Sequence, residues 1–189
     1  MSFALTIIIA YALGSISPSI IMGKLAGIDI KKEGSGNAGA TNTLRVLGKK
    51  AAIITLLIDI SKGVIAVYLA GCLFGDLHSY IACIFVILGH IFPIWYNFKG
   101  GKGVAVSFGA LLAVNPLIAV SALLVVIVFV LLFRMVSLGS IMAAASAPIF
   151  AFLFEPEFLP YVIFPAILII YMHRSNIIRI IKRQENKLW

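Results

Sequence analysis

Apolar residues form seven runs along this chain, and short polar segments separate them. The runs cover residues 3–23, 51–74, 79–95, 104–114, 117–133, 138–154 and 158–181. A helix that crosses a membrane needs about 20 predominantly apolar residues, with a lower limit of about 17. Several runs lie close to or below this limit, so we expect tilted helices or a thinned bilayer. The pattern predicts an all-α integral membrane protein, a seven-transmembrane-helix bundle with short loops.

The stretch from Val104 to Phe133 can be interpreted as one long helix or as two short ones. The Asn115-Pro116 pair interrupts it, and proline both lacks a backbone N–H and biases the preceding residue away from the helical conformation. With two helices, all basic segments lie on one side of the membrane. With one helix, Arg134 would lie opposite the lysines of 99–103, against the positive-inside rule. The charge distribution therefore favours seven spans, with the N-terminus outside and the C-terminus inside.

Composition agrees with a membrane location. The chain is 62% hydrophobic and 12% charged, whereas a soluble domain carries roughly 25% charged residues. Its net charge of +8 is explained mostly by topology, and no basic helix or aromatic platform indicates a nucleic-acid partner. The run at 3–23 lacks the basic start of a cleavable signal peptide, so we expect it to be retained as a span. The length of 189 residues predicts a single membrane-embedded domain, 1–189.

The first long polar segment on the Lys/Arg side runs from Glu33 to Gly48 and matches G-x-G-x-x-G between Gly34 and Gly39. Its flanks are apolar helices, which argues against a dinucleotide-binding βαβ unit. Glycines still let the backbone approach a phosphate, and amides at a helix start bind one. Asn37 is a predicted N-cap and Gly48 a predicted C-cap. Between these two caps, one helical face is predicted to carry Thr41, Asn42 and Arg45.

The second polar segment contains His90 and then the sequence Lys99-Gly100-Gly101-Lys102-Gly103. A Walker-type loop would need glycine at 96 and serine or threonine at 103, which Tyr96 and Gly103 exclude. A glycine loop with two lysines at the start of a helix is nevertheless an anion cradle. His90 is either a satisfied buried histidine or a proton carrier, and the sequence leaves both open.

The third polar segment continues the last apolar run, where His173 and Asn176 share a helical face and Arg179 falls near it. Ser137 and Ser140 lie in the turn after Arg134 and can add hydroxyl donors. Within the second span, Asp59 and Lys62 are three residues apart. Ionisable groups inside a span are costly unless paired, so we interpret these two as a structural ion pair.

Several kinds of chemistry are not indicated. The acidic residues are scattered, which argues against a carboxylate metal cage, and no metal or cofactor is expected. None of the three histidines is followed by the H-x4-D/E motif of common acyl-CoA-type acyltransferases. Because no Ser or Cys nucleophile is placed beside them, covalent catalysis is not indicated either.

Taken together, these segments resemble the signatures of the bacterial acyl-phosphate-dependent glycerol-3-phosphate acyltransferases, the PlsY type, over essentially the whole chain. The similar stretches are Gly34-Ser35-Gly36-Asn37-Ala38-Gly39-Ala40-Thr41-Asn42 with Arg45, Gly89-His90-Ile91-Phe92-Pro93 with Phe98-Lys99-Gly100-Gly101-Lys102-Gly103-Val104-Ala105, Val136-Ser137-Leu138-Gly139-Ser140, and His173-Arg174-Ser175-Asn176-Ile177-Ile178-Arg179. The chain departs from the family near its end, where the family tends to have Gly-Thr and this chain has Arg183-Gln184 before Glu185.

The resemblance implies acyl transfer from acyl phosphate to the sn-1 hydroxyl of glycerol 3-phosphate, giving 1-acyl-glycerol 3-phosphate (lysophosphatidate) and phosphate, in bacterial phospholipid synthesis. The implied partners are these two substrates, membrane lipid and the enzyme that makes acyl phosphate. The implied location is the bacterial cytoplasmic (inner) membrane, with the active site built from loops on the cytoplasmic side. The alternative from another class is a transporter of a small phosphorylated solute.

The site hypothesis that follows separates catalytic from substrate-binding residues. The expected catalytic residues are Ser35, Asn37, Arg45, Lys102, His90 and His173. The expected substrate-binding residues are Gly36, Gly39, Thr41, Asn42, Lys99, Gly100, Gly101, Gly103, Ser137, Ser140, Asn176 and Arg179. The proton acceptor is left open among His90, His173 and a substrate phosphate.

Overall fold

The computed structural model describes residues 1–188, and all regular secondary structure in that part of the chain is helical. The α-helices in the described residues are, in chain order, α1 (Ser2–Gly14), α2 (Pro18–Leu25), α3 (Ala40–Phe74), α4 (Asp76–Ile91), α5 (Val104–Val114), α6 (Pro116–Phe133), α7 (Val136–Phe154), α8 (Leu159–Met172) and α9 (Arg174–Ile181). Short 3-10 turns cover Ile94–Tyr96 and Pro156–Phe158. The predicted all-α class is confirmed.

Helix length and hydropathy support a multi-pass membrane protein. Among the described residues, five segments are long and apolar enough to cross a membrane: Ser2–Leu25, Ala40–Phe74, Asp76–Tyr96, Pro116–Phe133 and Val136–Phe154. A bent pair, Pro156–Met172 with Arg174–Ile181, gives a sixth. Helix α5 has 11 residues. At 1.5 Å per residue it is only roughly 17 Å long, whereas the hydrocarbon core is about 30 Å thick. The seventh crossing therefore stays a prediction.

The predicted break at Asn115 is confirmed. Helix α5 ends at Val114 and α6 begins at Pro116, with Asn115 as the N-cap. The Asn115 side-chain oxygen accepts a hydrogen bond from the Leu117 N–H at 3.0 Å. Its Nδ2 donates to the Phe154 carbonyl at 3.1 Å. Proline is compatible with the first turn because its missing N–H has no partner there.

Two other predicted spans are interrupted where continuous helices were expected. The run at 3–23 is divided into α1 and α2, and α2 begins with Pro18. The run at 158–181 is divided at His173, where α8 and α9 are bent by 54°. Each break leaves backbone groups without helical partners, and buried groups of this kind need side-chain partners.

The first compact unit covers Met1–Val114. Helices α3 and α5 approach so closely at Gly109 that an added Cβ there would overlap the carbonyl of Ile60. Likewise, an added Cβ at Gly14 in α1 would overlap the carbonyl of Val86 in α4. Small residues at such crossings let helix backbones pack directly, as is common in membrane proteins.

The second compact unit begins at Asn115 and contains α6 to α9. Helix α7 packs against α6 along the predicted small-residue face. An added Cβ at Gly139 would lie 2.8 Å from the carbonyl oxygen of Val126. Ala143 and Ala147 on the same face are buried, at 8% and 5% exposed. The predicted packing role of this face is confirmed.

Candidate active site

The first glycine loop, residues 31–39, is held by one buried amide side chain. Asn42 is 1% exposed, and its Oδ1 accepts a hydrogen bond from the Ser35 N–H at 2.8 Å. Its Nδ2 donates to the carbonyls of Ile30 and Glu33, each at 3.1 Å. Both amide hydrogens are therefore used within the chain. Although we expected Asn42 to face a substrate, its contacts make it a residue that shapes the loop.

The start of α3 differs from the predicted capping. Gly39 is the N-cap, and no side chain caps this end, so the prediction that Asn37 caps the helix is wrong. Asn37 and Thr41 are half-buried, and Gly36 is exposed. The Thr43 hydroxyl donates to the Gly39 carbonyl at 3.1 Å.

The predicted end of this first helical segment is correct. Gly48 has a φ of +83° and interrupts α3 there, before the helix continues. Such a backbone conformation is readily adopted only by glycine. The segment that carries Arg45 is therefore a short helix, separate from the membrane-crossing part of α3.

Arg45 lies beside the first glycine loop. A cavity of about 400 Å³ is lined by Arg45, Glu33, Gly34, Ile28 and Val46. The guanidinium provides a planar set of donors suited to phosphate or carboxylate oxygens. The cavity therefore combines a cation with a glycine backbone, as expected for an anion site, although the Glu33 carboxylate lies on the same cavity.

The second glycine loop, residues 99–103, folds back onto the end of α4. The Gly100 N–H donates to the Ile91 carbonyl at 3.0 Å, and the Gly101 N–H to the His90 carbonyl at 3.1 Å. An added Cβ at Gly101 would overlap the His90 ring and would lie 2.7 Å from the Ala38 carbonyl oxygen. The two glycine loops of the first unit therefore meet at Gly101, where only glycine fits.

The remaining residues of the second loop lead into α5. Gly103 has a φ of +91° and directly precedes Val104, the first residue of the helix. Lys102 is half-buried and Lys99 is exposed. Both lysines therefore precede α5, and Lys102 lies close to its N-terminus, where the backbone dipole favours an anion.

Next to this loop, His90 belongs to a buried charged cluster. Asp59, Lys62 and His90 are 1%, 4% and 5% exposed. The Lys62 Nζ lies 2.8 Å from the Asp59 carboxylate, which confirms the predicted pair. It also lies 2.9 Å from the His90 Nδ1 and donates to the carbonyls of Gly14 and Ile16 at 2.9 and 2.6 Å. Lys62 thus satisfies the carbonyls left at the break between α1 and α2.

A second group of cations surrounds Tyr96 and was not anticipated from the sequence. The ammonium groups of Lys24 and Lys31 lie 5.5 and 5.8 Å from its ring centroid. Lys31 donates to the Tyr96 carbonyl at 3.3 Å. Burial lowers the pKa of Lys31, and repulsion from Lys99 and Lys24 adds to this effect, while Asp29 opposes it. Positive charge is therefore concentrated beside the second glycine loop.

In the second unit, one carboxylate joins three of the predicted substrate-binding side chains. Glu185 accepts hydrogen bonds from the Ser137 hydroxyl at 2.7 Å, from the Asn176 Nδ2 at 2.6 Å and from the Arg179 Nε at 2.7 Å. Ser140 instead donates to the Val136 carbonyl at 2.9 Å, within its own helix. This role of Glu185 was not predicted from the sequence, because the contact depends on how the chain turns after α9.

His173 lies at the bend between α8 and α9 and is 3% exposed. Its Nδ1 is 2.8 Å from the Ile169 carbonyl oxygen. Because a carbonyl can only accept, the hydrogen must be on Nδ1. In the neutral ring, Nε2 is then the nitrogen that carries the lone pair. This tautomer suits His173 as a hydrogen-bond or proton acceptor at Nε2.

The chain keeps a tight turn after α9 even though it has Arg183-Gln184 where the family tends to have Gly-Thr. The Gln184 N–H donates to the Arg179 carbonyl at 2.7 Å and the Arg183 N–H to the Ile180 carbonyl at 3.0 Å. These two bonds define a Schellman motif, whose left-handed residue is usually glycine. Here Arg183 occupies that position with a φ of +56°. The chain therefore makes the turn that brings Glu185 back to α9 without the usual glycine.

We expect Arg183→Gly to stabilise the protein by about 1 kcal/mol, because a left-handed conformation costs a non-glycine residue roughly 1–2 kcal/mol. Lys182→Gly is the matched control, since Lys182 has a φ of −78° and glycine there should destabilise. Detergent-induced unfolding of the purified variants measures both changes. Equal effects of the two substitutions would contradict the interpretation of the turn.

We expect Glu185→Gln to destabilise the protein at neutral pH by about 1.5–3 kcal/mol, the usual range for charge-assisted hydrogen bonds. Burial raises the pKa of Glu185, but the bonds from Ser137, Asn176 and Arg179, with the charge of Arg179, hold it below its ordinary value of 4.5. A carboxyl with a depressed folded-state pKa stabilises the fold above its unfolded value and loses that effect as pH falls through the folded value.

The difference in thermal midpoint between wild type and Glu185→Gln should therefore be full above about pH 4.5 and should shrink below it. Thermal unfolding of both proteins across this pH range tests the expectation. A constant difference at all pH values would show that Glu185 does not act through its charge.

The fold and these groups define a class: a multi-pass membrane protein with a candidate anion-binding site built from glycine loops, Arg and Lys. The sequence profile of the glycerol-3-phosphate acyltransferase family matches residues 4–183. The chain is 44% identical to the glycerol-3-phosphate acyltransferase of Bacillus subtilis (strain 168), with 100% of this chain and 98% of the relative covered. It is also 44% identical to that of Clostridioides difficile (strain 630), with 99% and 96% covered.

Solved structures agree with this match. The crystal structure of PlsY (YgiH), an integral membrane glycerol 3-phosphate acyltransferase, in its glycerol 3-phosphate form superposes with a TM-score of 0.95 at 39% identity, covering 99% of this chain and 96% of that one. The lysophosphatidic acid form gives 0.92 at 39% identity, with 99% and 95% covered. The chain belongs to the glycerol-3-phosphate acyltransferase family. It is an integral membrane acyltransferase of phospholipid synthesis, and this assignment decides against the transporter alternative.

Proposed function

We propose that this enzyme takes its acyl group from acyl phosphate and transfers it to the sn-1 hydroxyl of glycerol 3-phosphate. The hydroxyl oxygen forms the new ester bond to the acyl carbon, the bond from that carbon to the phosphate oxygen breaks, and inorganic phosphate leaves. The hydroxyl proton passes to a base. The observation that carries the proposal is the meeting of two glycine loops at Gly101, in a loop that also carries the cationic side chains of Lys99 and Lys102.

An already activated donor fits the residues available. Acyl phosphate is a mixed anhydride with a good leaving group, so the protein need not form a covalent intermediate. Its contribution is to hold the reactants in alignment, which can be worth roughly 7–11 kcal/mol. Donors directed at the developing oxyanion add about 3–4 kcal/mol each.

In the first unit, different residues of the two loops would bind the two substrates. The acyl phosphate head and carbonyl would contact Ser35, Gly36, Asn37 and Thr41, with Asn42 shaping the loop. The glycerol phosphate would contact Arg45 and Lys102. The cradle would be completed by Gly39, Lys99, Gly100, Gly101 and Gly103.

In the second unit, we propose His173 as a catalytic residue and Asn176 as a substrate-binding residue. Glu185 holds Ser137, Asn176 and Arg179 in place. Ser140 lies one helical turn from Val136 in the same segment and would support it. His173 carries a lone pair on Nε2 in its neutral form, so His173 or a substrate phosphate oxygen would take the hydroxyl proton.

We further propose the bacterial cytoplasmic (inner) membrane as the location, with seven crossings, the N-terminus outside, and the C-terminus and active site on the cytoplasmic side. The family match over residues 4–183 includes both compact units, which supports one catalytic domain. The solved glycerol 3-phosphate and lysophosphatidic acid forms of PlsY support the proposed acceptor and product. The enzyme that makes acyl phosphate is a proposed partner.

The donor is tested with purified protein in lipid nanodiscs, glycerol 3-phosphate, and acyl phosphate, acyl-CoA or acyl carrier protein in parallel. Lysophosphatidate formed only from acyl phosphate supports the proposal. Equal or faster product formation from either of the other donors would overturn it. Chromatographic separation of the 1-acyl and 2-acyl isomers tests the position of acylation in the same samples.

A further inference from the structure

The surroundings of the Lys62 ammonium group determine where its three hydrogens go. Two of its neighbours, the carbonyl oxygens of Gly14 and Ile16 at 2.9 and 2.6 Å, can only accept. A third neighbour is the His90 Nδ1 at 2.9 Å. The fourth is the Asp59 carboxylate at 2.8 Å, which is also the counter-charge. Because an ammonium group has only donors, each of these four neighbours faces it as an acceptor, and this includes the His90 Nδ1.

This arrangement selects one tautomer of His90. A ring nitrogen that accepts a hydrogen bond carries a lone pair, so the ring hydrogen of neutral His90 must be on Nε2. The opposite tautomer would direct the Nδ1 hydrogen at the Asp59 Oδ1, 3.2 Å away. It would also leave two N–H donors facing each other at 2.9 Å, which is unfavourable.

The Nε2 of His90 lies at the junction of the two glycine loops. It is the atom nearest to where a side chain at Gly101 would start, and the Ala38 carbonyl oxygen is the next nearest. His90 is thus fixed on one side by Lys62 and presents its Nε2–H beside both loops. Its backbone carbonyl also anchors Gly101 at 3.1 Å.

We propose that His90 is a permanent N–H donor to an oxygen of the acyl phosphate group and not a base, with Lys62 and Asp59 as the residues that hold it in this tautomer. The inference rests on the proposed function for its ligand. In this tautomer Nε2 already carries its hydrogen, so it has no lone pair with which to take the hydroxyl proton. Protonation could occur only at Nδ1, and it would give a cationic ring with an N–H pointing at the Lys62 ammonium, 2.9 Å away. A fixed neutral donor, by contrast, needs no reorganisation when negative charge develops on the substrate.

The tautomer is tested directly by NMR of protein labelled with ¹⁵N-histidine in detergent micelles. The chain has three histidines, and the spectrum of His90→Gln assigns the missing signals to His90. The expected result is a hydrogen on Nε2 of His90. His173 is the internal reference, because its bond to the Ile169 carbonyl requires the hydrogen on Nδ1. A hydrogen on Nδ1 of His90, or on both its nitrogens, would overturn the inference regardless of which donor the enzyme uses.

The catalytic part is tested by comparing His90→Gln, His90→Asn and His90→Ala. The glutamine amide reaches the position of Nε2, whereas the asparagine amide reaches only that of Nδ1. We expect kcat with acyl phosphate to be at least about tenfold higher for Gln than for Ala, because one aimed donor contributes roughly 100-fold or more, with Asn close to Ala. Equal activity of Gln and Ala would overturn the donor role, since a lost base is not replaced by an amide.

His78→Gln is the matched control, because His78 is also buried in the first unit but stacks on the Phe3 ring at 4.3 Å, and its kcat should stay at the wild-type value. If wild type itself makes no product from acyl phosphate, the proposed donor is wrong, and the NMR result still decides the tautomer. The two failures are therefore distinguishable.

Discussion

Arg45→Lys should lower kcat/KM for glycerol 3-phosphate by roughly 10- to 150-fold, since each charge-assisted hydrogen bond contributes about 1.5–3 kcal/mol. Arg45 lines the cavity next to Gly34, where a guanidinium can bind two phosphate oxygens at once. Lysine keeps the charge but has no planar fork, so it cannot reproduce this paired contact. Steady-state kinetics with varied glycerol 3-phosphate measure the loss.

Arg183→Lys is the matched control for this prediction. Arg183 is exposed and has no assigned role in substrate binding, so the same chemical change there should leave kcat/KM unchanged. Wild-type kinetics in Arg45→Lys would show that Arg45 does not bind the substrate phosphate.

Breaking the Asp59–Lys62 pair should destabilise the protein by about 3–5 kcal/mol, the range for removing one partner of a buried ion pair. Lys62→Met should have the larger effect. It leaves the Asp59 carboxylate, which is 1% exposed, without its cation, and it also removes the donor to the Gly14 and Ile16 carbonyls. Unfolding by sodium dodecyl sulfate in mixed micelles gives the free-energy change.

A double-mutant cycle separates the interaction energy of the Asp59–Lys62 pair from the contacts that each residue makes with other groups. Asp59→Asn with Lys62→Met should be less destabilising than the sum of the single changes, because the uncompensated charge is gone. The exposed pair of Asp29 and Lys32, 3.9 Å apart, is the control, and Asp29→Asn should change stability by less than about 1 kcal/mol. Strictly additive effects at Asp59 and Lys62 would contradict a buried, coupled pair.

The elements that could be predicted from the sequence are those decided by neighbouring residues. Proline after Asn115 removes a backbone donor, and the chain breaks there. Gly48 takes a backbone conformation open mainly to glycine and ends a helical segment. Asp59 and Lys62 are one turn apart on one helix, so their pairing needs no knowledge of the rest of the fold.

The predicted first span was less accurate for a physical reason. Pro18 is visible in the sequence, but the partner that satisfies the carbonyls at this break is Lys62, 46 residues beyond Ile16. A helix can end with its last carbonyl groups buried only if a hydrogen-bond donor from elsewhere in the chain reaches them. Whether that donor is present depends on how α3 packs, which no local pattern reports.

In the candidate site, too, some features could be predicted from the sequence and others depend on how the helices pack. Residue types and spacing along the chain are enough to predict an anion-binding region of glycine loops, Arg45 and two lysines, because backbone freedom and charge belong to the residues themselves. Only the tertiary structure decided that Asn42 shapes the loop, that Lys62 orients His90 and that Glu185 gathers side chains from α7 and α9. These roles arise from hydrogen bonds between groups far apart in sequence, and such bonds exist only once the helices have packed.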